Sequence, residues 1–190
     1  MSKAIIEQSG QKKKRGISMK PDTTNLLAVT ERLQHEGIPY ALGGSGLLHS
    51  LGLTAAVRDW DIMTDAPKEQ VMKALENLTV QEARSGDYPF GSKYKLVVQS
   101  ENPQVEILGS FSIHSDKGLC QLPAVPVSLW QGIHVGSPEV WYVAYALMNR
   151  KDKSDLLLHY LKEKEANKEI LQRLVNEPLP DELIEVISSL

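Results

Sequence analysis

The sequence predicts an α+β fold: a mixed β-sheet with helices packed on it, followed by a small C-terminal helical region. Three observations carry this expectation. Helix-like and strand-like segments alternate up to about residue 83, and two strand-like runs then follow each other directly, as in an antiparallel hairpin. From Pro138 onward the pattern is helical alone.

The elements follow in chain order. Residues 24–36 place Leu26, Leu27, Val29 and Leu33 at helical spacing, with Asp22, Thr23 or Thr24 as cap and Gly37 as stop. Residues 39–42 form a short strand running into Gly43 and Gly44, and residues 45–53 a second helix buried through Leu47, Leu48 and Leu51. Residues 58–64 are a strand ended by Asp65, Ala66 and Pro67. Pro67 suits a helix start, and Val71, Met72, Leu75 and Leu78 continue that helix over 68–78. A short strand at 80–83 precedes a turn-rich loop at 85–91. Strands at 93–99 and 104–108 are joined by a Ser-Glu-Asn-Pro turn, and residues 121–135 read as short strands or extended loop. The tail divides into helices at 139–148, 153–175 and 180–188.

At 190 residues the chain is long enough for one sizeable core or for a core with a small helical addition. The expected division is a basic arm over 1–20, a core over 21–137 and a helical region over 138–190. Net charge is −3, yet residues 1–20 carry six cations against Glu7, a local +5, so the rest carries −8. That acidic body argues against a nucleic-acid partner, and the arm reads as a solvated tail. Met19 opens a segment that would serve as a natural start, so residues 1–18 are expected to be dispensable. The single cysteine, Cys120, leaves no internal disulfide and reads as a small buried hydrophobe. No apolar run is long enough to span a bilayer and no signal peptide is visible, so the expected location is cytoplasmic.

The chemistry is carried by Gly43, Gly44 and Ser45, and then by Asp59-Trp60-Asp61. Strand side chains alternate, so Asp59 and Asp61 project to one face and Trp60 into the core. Two neighbouring carboxylates repel and need a cation; oxygen donors that leave room for water and phosphate suit Mg2+ (or Mn2+). A glycine turn opening a helix beside such a strand points to chemistry on a nucleoside triphosphate. Two-metal phosphoryl chemistry commonly uses a third acid, and Glu106 is the lone acid within Val105-Glu106-Ile107-Leu108. If its strand lies beside 58–64, all three carboxylates converge; an edge-strand glutamate facing solvent is the other reading. The five histidines show no metal-ligand spacing, and His49 reads as structural. Trp130 and Trp141 read as packing residues, with stacking in an acceptor pocket as the alternative. Leu156, Leu157, Leu158, Ile170 and Leu171 are helical core or a homodimer face.

L-G-G-S, then D-W-D-I, then V-E-I-L, over residues 39–108, resembles the nucleotidyltransferase superfamily that includes DNA polymerase beta and the lincosamide and aminoglycoside nucleotidyltransferases. The tail from Ser137 through Arg150 to Asp155 is similar to the segment following the catalytic domain in small bacterial members. The resemblance implies a two-metal transfer of a nucleoside monophosphate from an NTP to a hydroxyl of a small-molecule or protein acceptor, with release of pyrophosphate. It implies that Gly43, Gly44 and Ser45 hold phosphates, that Asp59 and Asp61 bind both cations, and that Glu106 binds one cation and serves the acceptor as base. Lys93 or Lys95, and Arg150, would neutralise triphosphate charge, unless they are plain surface cations. Two departures stand out: Tyr145 occupies the place where such relatives often carry a lysine, and the glycines lie far from Asp59. The competing reading is a non-catalytic nucleotide- or partner-binding protein of the same fold.

Overall fold

The computed structural model describes residues 21–98 and 103–190. The basic arm and most of the Ser-Glu-Asn-Pro turn lie outside the described residues. Helix α1 (Thr24–His35) opens beside Asp22, whose carboxylate accepts from the Thr24 amide at 2.9 Å, and stops at Gly37, where φ is +65°. Strand β1 (Ala41–Leu42) is a two-residue pass through the core. Helix α2 (Gly44–Ser50) ends three residues before the expected Leu53, because the chain turns through Gly52 at φ +75°. Strand β2 (Asp59–Thr64), helix α3 (Lys68–Ala74) and strand β3 (Val80–Ala83) come next, α3 also ending short of the expected 78.

Strands β4 (Tyr94–Val98) and β5 (Gln104–Gly109) pair antiparallel, the hairpin expected from sequence. Two three-residue strands, β6 (Ser112–His114) and β7 (Leu119–Gln121), form a separate small ladder that the apolar pattern does not announce. Strands β8 (Pro126–Trp130) and β9 (Ile133–Gly136) then return to the main sheet. Its seven strands run in the order β3-β4-β5-β2-β1-β9-β8. The sheet is mixed: β2 with β5 and β1 with β9 are parallel, and the other pairs are antiparallel. This is the α+β architecture expected.

The tail holds four helices rather than three: α4 (Pro138–Leu147), α5 (Lys151–Lys164), α6 (Lys168–Val175) and α7 (Asp181–Ser188). The single helix expected over 153–175 is broken. Glu165 takes a left-handed φ of +58°, and the Asn167 side chain caps a new helix by accepting from the amides of Glu169 and Ile170. Helix α4 is buried on nearly every side, from Glu139 to Tyr145. Its start is fixed by Ser137, whose Oγ accepts from the Val140 amide and donates to Glu139 Oε2 at 2.6 Å. Glu139 Oε1 accepts from the Asn167 amide at 2.8 Å, so one buried carboxylate anchors the beginnings of both α4 and α6.

The core gathers Leu26, Val29 and Leu33 of α1 against Trp60, Ile62, Val105 and Ile107 of the sheet. Trp60 is fully buried and its indole N–H donates to the Asp22 carbonyl at 3.0 Å. Cys120 is buried as expected. Burying Trp60 on one face of β2 fixes the register, and so forces Asp59 and Asp61 to the opposite face.

Candidate active site

The opposite face of β2 is the floor of a cleft of about 530 Å³. Asp61 lies directly across from Glu106 in the parallel β2–β5 ladder, and Asp59 lies across from Gln104. Parallel neighbours at the same level point to the same side, so the three carboxylates line one cleft. The glycines close its near wall. The Gly43 amide donates to the Asp61 carbonyl at 2.7 Å, which folds the chain tightly against β2. Gly44 has φ +53°, and a Cβ there would collide with the Asp61 carboxylate. A Cβ on Gly43 would collide with the Trp141 ring. Ser45 Oγ donates to the Asp59 carbonyl at 3.1 Å, tying the first turn of α2 to the same strand.

Electrostatics at the floor follow from crowding. Burial pushes the Asp61 carboxyl up to about 7, with repulsion from Glu106 and Asp59 adding to it and Lys95 and Lys153 opposing it. Its two neighbours have found cations. Lys95 pairs with Glu106 at 2.6 Å, and Gln104 Nε2 donates to the same carboxylate at 2.9 Å. Arg58 pairs with Asp59 at 2.8 Å, from a largely exposed position. Among the described residues, no three His, Cys, Asp or Glu side chains are already gathered at metal-binding spacing. The donor set itself, three carboxylates and no nitrogen or sulfur, fits a hard divalent cation such as Mg2+.

The roof comes from the tail. Trp141 and Tyr145 of α4, and Arg150, Asp152, Lys153 and Leu156 around the start of α5, line the cleft. Arg150 reaches it because Asn149 turns left-handed at φ +55° between the two helices. Lys153 Nζ sits 5.1 Å from the Tyr145 ring centroid. Burial lowers the Lys153 pKa, as does the nearby Arg150 charge.

Of the residues singled out from sequence, Gly44, Ser45, Asp59, Asp61, Glu106 and Arg150 line the cleft. Gly43 is buried just behind it. The fold separates the two lysines: Lys95 lines the cleft, whereas Lys93 is exposed and outside its lining. Trp141 lines the cleft and stacks on Phe111 at 5.5 Å between centroids. Trp130 instead packs on Trp60 and His49. His49 Nδ1 is within 3.0 Å of the Thr54 carbonyl, a structural role as expected. Sequence reasoning missed Lys153 and Ser92. Both depend on tertiary placement, and only the density of charge around Arg150 could have drawn attention to the former.

Neither a family model nor a curated protein sequence matches the chain. Solved structures do. A Thermotoga maritima protein provisionally classed as a nucleotidyltransferase superposes with a TM-score of 0.52 at 22% identity, over 73% of this chain and 91% of that one. ANT(2'')-Ia, solved in complex with adenylyl-2''-tobramycin, superposes with a TM-score of 0.52 at 14% identity, over 88% of this chain and 98% of that one. The chain shares the fold of these nucleotidyltransferase structures. No helix among the described residues is long and apolar enough to cross a membrane.

Proposed function

We propose that the chain is a Mg2+-dependent nucleotidyltransferase (Mn2+ serving equally) that moves a nucleoside monophosphate from an NTP to an acceptor hydroxyl. The observation that carries this reading is the level pairing of Asp61 with Glu106, two carboxylates facing each other beside the Gly44 and Ser45 turn. Asp59 and Asp61 would hold both ions and Glu106 one of them. Bound there, the ions supply Lewis-acid stabilisation of the reacting phosphoryl group.

The chain's own groups do the rest. Amides in the first turn of α2 and the Ser45 hydroxyl bind the β- and γ-phosphates, aided by the positive end of the helix. Arg58, Arg150 and Lys153 neutralise triphosphate charge from the rim. Glu106 accepts the acceptor's proton. As the acceptor oxygen bonds to the α-phosphorus, the bond from that phosphorus to the bridging oxygen breaks, and its electron pair leaves with pyrophosphate.

The test is incubation with labelled ATP, GTP, CTP or UTP, Mg2+ and panels of hydroxyl-bearing small molecules and proteins. Pyrophosphate released in step with labelled acceptor is expected, and its absence throughout rejects the proposal. One observation favours a non-catalytic nucleotide binder: Lys95 and Arg58 pair with two of the three carboxylates. Calorimetry separates the readings. Under the catalytic one, Asp59→Asn and Asp61→Asn remove the Mg2+ dependence of NTP binding; under the other, binding is unchanged.

A further inference from the structure

We propose that the groove between the 85–91 loop, the β6–β7 turn and α7 docks a basic segment of a partner protein through an arginine. Its guanidinium lies on the Tyr88 ring and reaches the carboxylates of Asp116 and Glu182. The inference does not depend on the nucleotidyltransferase reading. The groove, of about 650 Å³, is open to solvent and separate from the cleft. The loop divides the two: Gly86 and Phe90 line the cleft, whereas Tyr88 and Pro89 line the groove.

One wall of the groove is aromatic. Tyr88 is 77% exposed, yet its ring is held in place, stacked on His114 with centroids 5.8 Å apart and planes 26° from parallel. The backbone secures that stack: Phe90 bridges to Ile113, and the His114 amide donates to the Pro89 carbonyl at 2.7 Å. A fixed ring with an uncovered face suits a planar guanidinium, which stacks on it better than a compact ammonium does. The floor is apolar, with Leu147 at the end of α4 meeting Leu183 and Val186 of α7 beside Pro89 and Pro180. A floor wider than one side chain receives the aliphatic neighbours of a peptide arginine rather than an isolated amine.

Charge fixes the sign of the partner. Asp116 and Glu182 line the groove, and no lysine or arginine does. Both acids are exposed, and Lys117, next to Asp116 in the chain, is paired with Asp181 instead. A cationic segment is therefore complemented here and an acidic one repelled. Tyr142 adds a separate observation. It is only 5% exposed and lines the groove, yet its hydroxyl makes no hydrogen bond among the described residues. A backbone carbonyl of the docked peptide would accept from it.

The full chain is titrated calorimetrically at pH 8 with the peptide acetyl-Gly-Leu-Arg-Leu-Gly-amide. The same peptide is then tested with citrulline, the neutral isostere of arginine, or with lysine in its place. Saturable binding of the arginine peptide is expected, weakened about fivefold by citrulline and about threefold by lysine. Tyr88→Ala and Glu182→Gln, both at exposed positions, should each weaken it about threefold. No binding, equal binding of the citrulline peptide, or affinity unchanged in both variants overturns the proposal. Two further results would assign the groove to another occupant and overturn it as well. A concentration-dependent dimer that Tyr88→Ala abolishes, read by sedimentation, gives the groove to a second copy. Peptide affinity raised by Arg15→Gln gives it to the chain's own basic arm.

Discussion

Asp61 and Glu106 face each other at the same level of the β2–β5 ladder, and among the described residues only Glu106 of the two has a cation within salt-bridge reach. The asymmetry leaves Asp61 holding the unrelieved charge. With its carboxyl raised to about 7, the folded chain keeps a proton that the unfolded chain releases near 3.8. The folded state binds more protons between those values, so stability falls as pH rises from about 4 to about 7 and then levels off. Thermal midpoints in EDTA across that range should show the decline, and Asp61→Asn should flatten it. Mg2+ affinity should climb over the same interval, because binding expels the proton.

Asp61→Ala should abolish transfer while leaving the fold intact. At pH 8 the variant is expected to be as stable as the parent, or more stable by up to about 2 kcal/mol, because repulsion with Glu106 and Asp59 is relieved. Denaturant unfolding beside a turnover assay checks both halves. A strongly destabilised variant that still transfers would contradict the role given to Asp61.

Gly44→Ala should be damaging at a position with no side chain to lose. The left-handed backbone alone costs about 1–2 kcal/mol for any residue with a Cβ. The added methyl also meets the Asp61 carboxylate and must push it aside. Reduced stability and lost NTP binding are expected together, read by unfolding and by calorimetry.

Glu106→Ala and Lys153→Ala should separate in kinetics. On the proposed reading Glu106 serves the acceptor, so its loss should lower kcat by about a hundredfold or more with little change in NTP affinity. Lys153, held over the Tyr145 ring, is proposed to meet the triphosphate, so its loss should raise KM for NTP about tenfold with a smaller effect on kcat. Steady-state kinetics in varied NTP decides whether the two patterns part in this way.

Much of this was legible in the sequence because it is local. Alternation in Asp59-Trp60-Asp61-Ile62 fixes which face each side chain takes, and the apolar neighbours of Glu106 mark its segment as a strand, inner or edge. Even so, whether that strand lies beside β2 is a tertiary fact. The helix break at Glu165 was hidden because nothing around it is glycine or proline; Asn167, a good cap, was the available sign. The short β6 and β7 strands carry too few residues for a period to show. Lys153 and Ser92 were out of reach for a different reason. One lies over a ring on another helix, and the other is a buried hydroxyl without a hydrogen-bond partner among the described residues.

On the proposed reading, the pairs Lys95–Glu106 and Arg58–Asp59 make the acids choosy about how a divalent ion arrives. A bare ion must compete with an ammonium and a guanidinium for these oxygens. An ion escorted by nucleotide brings phosphate oxygens that take in the displaced groups. The pocket would thereby prefer the loaded complex over the solitary cation.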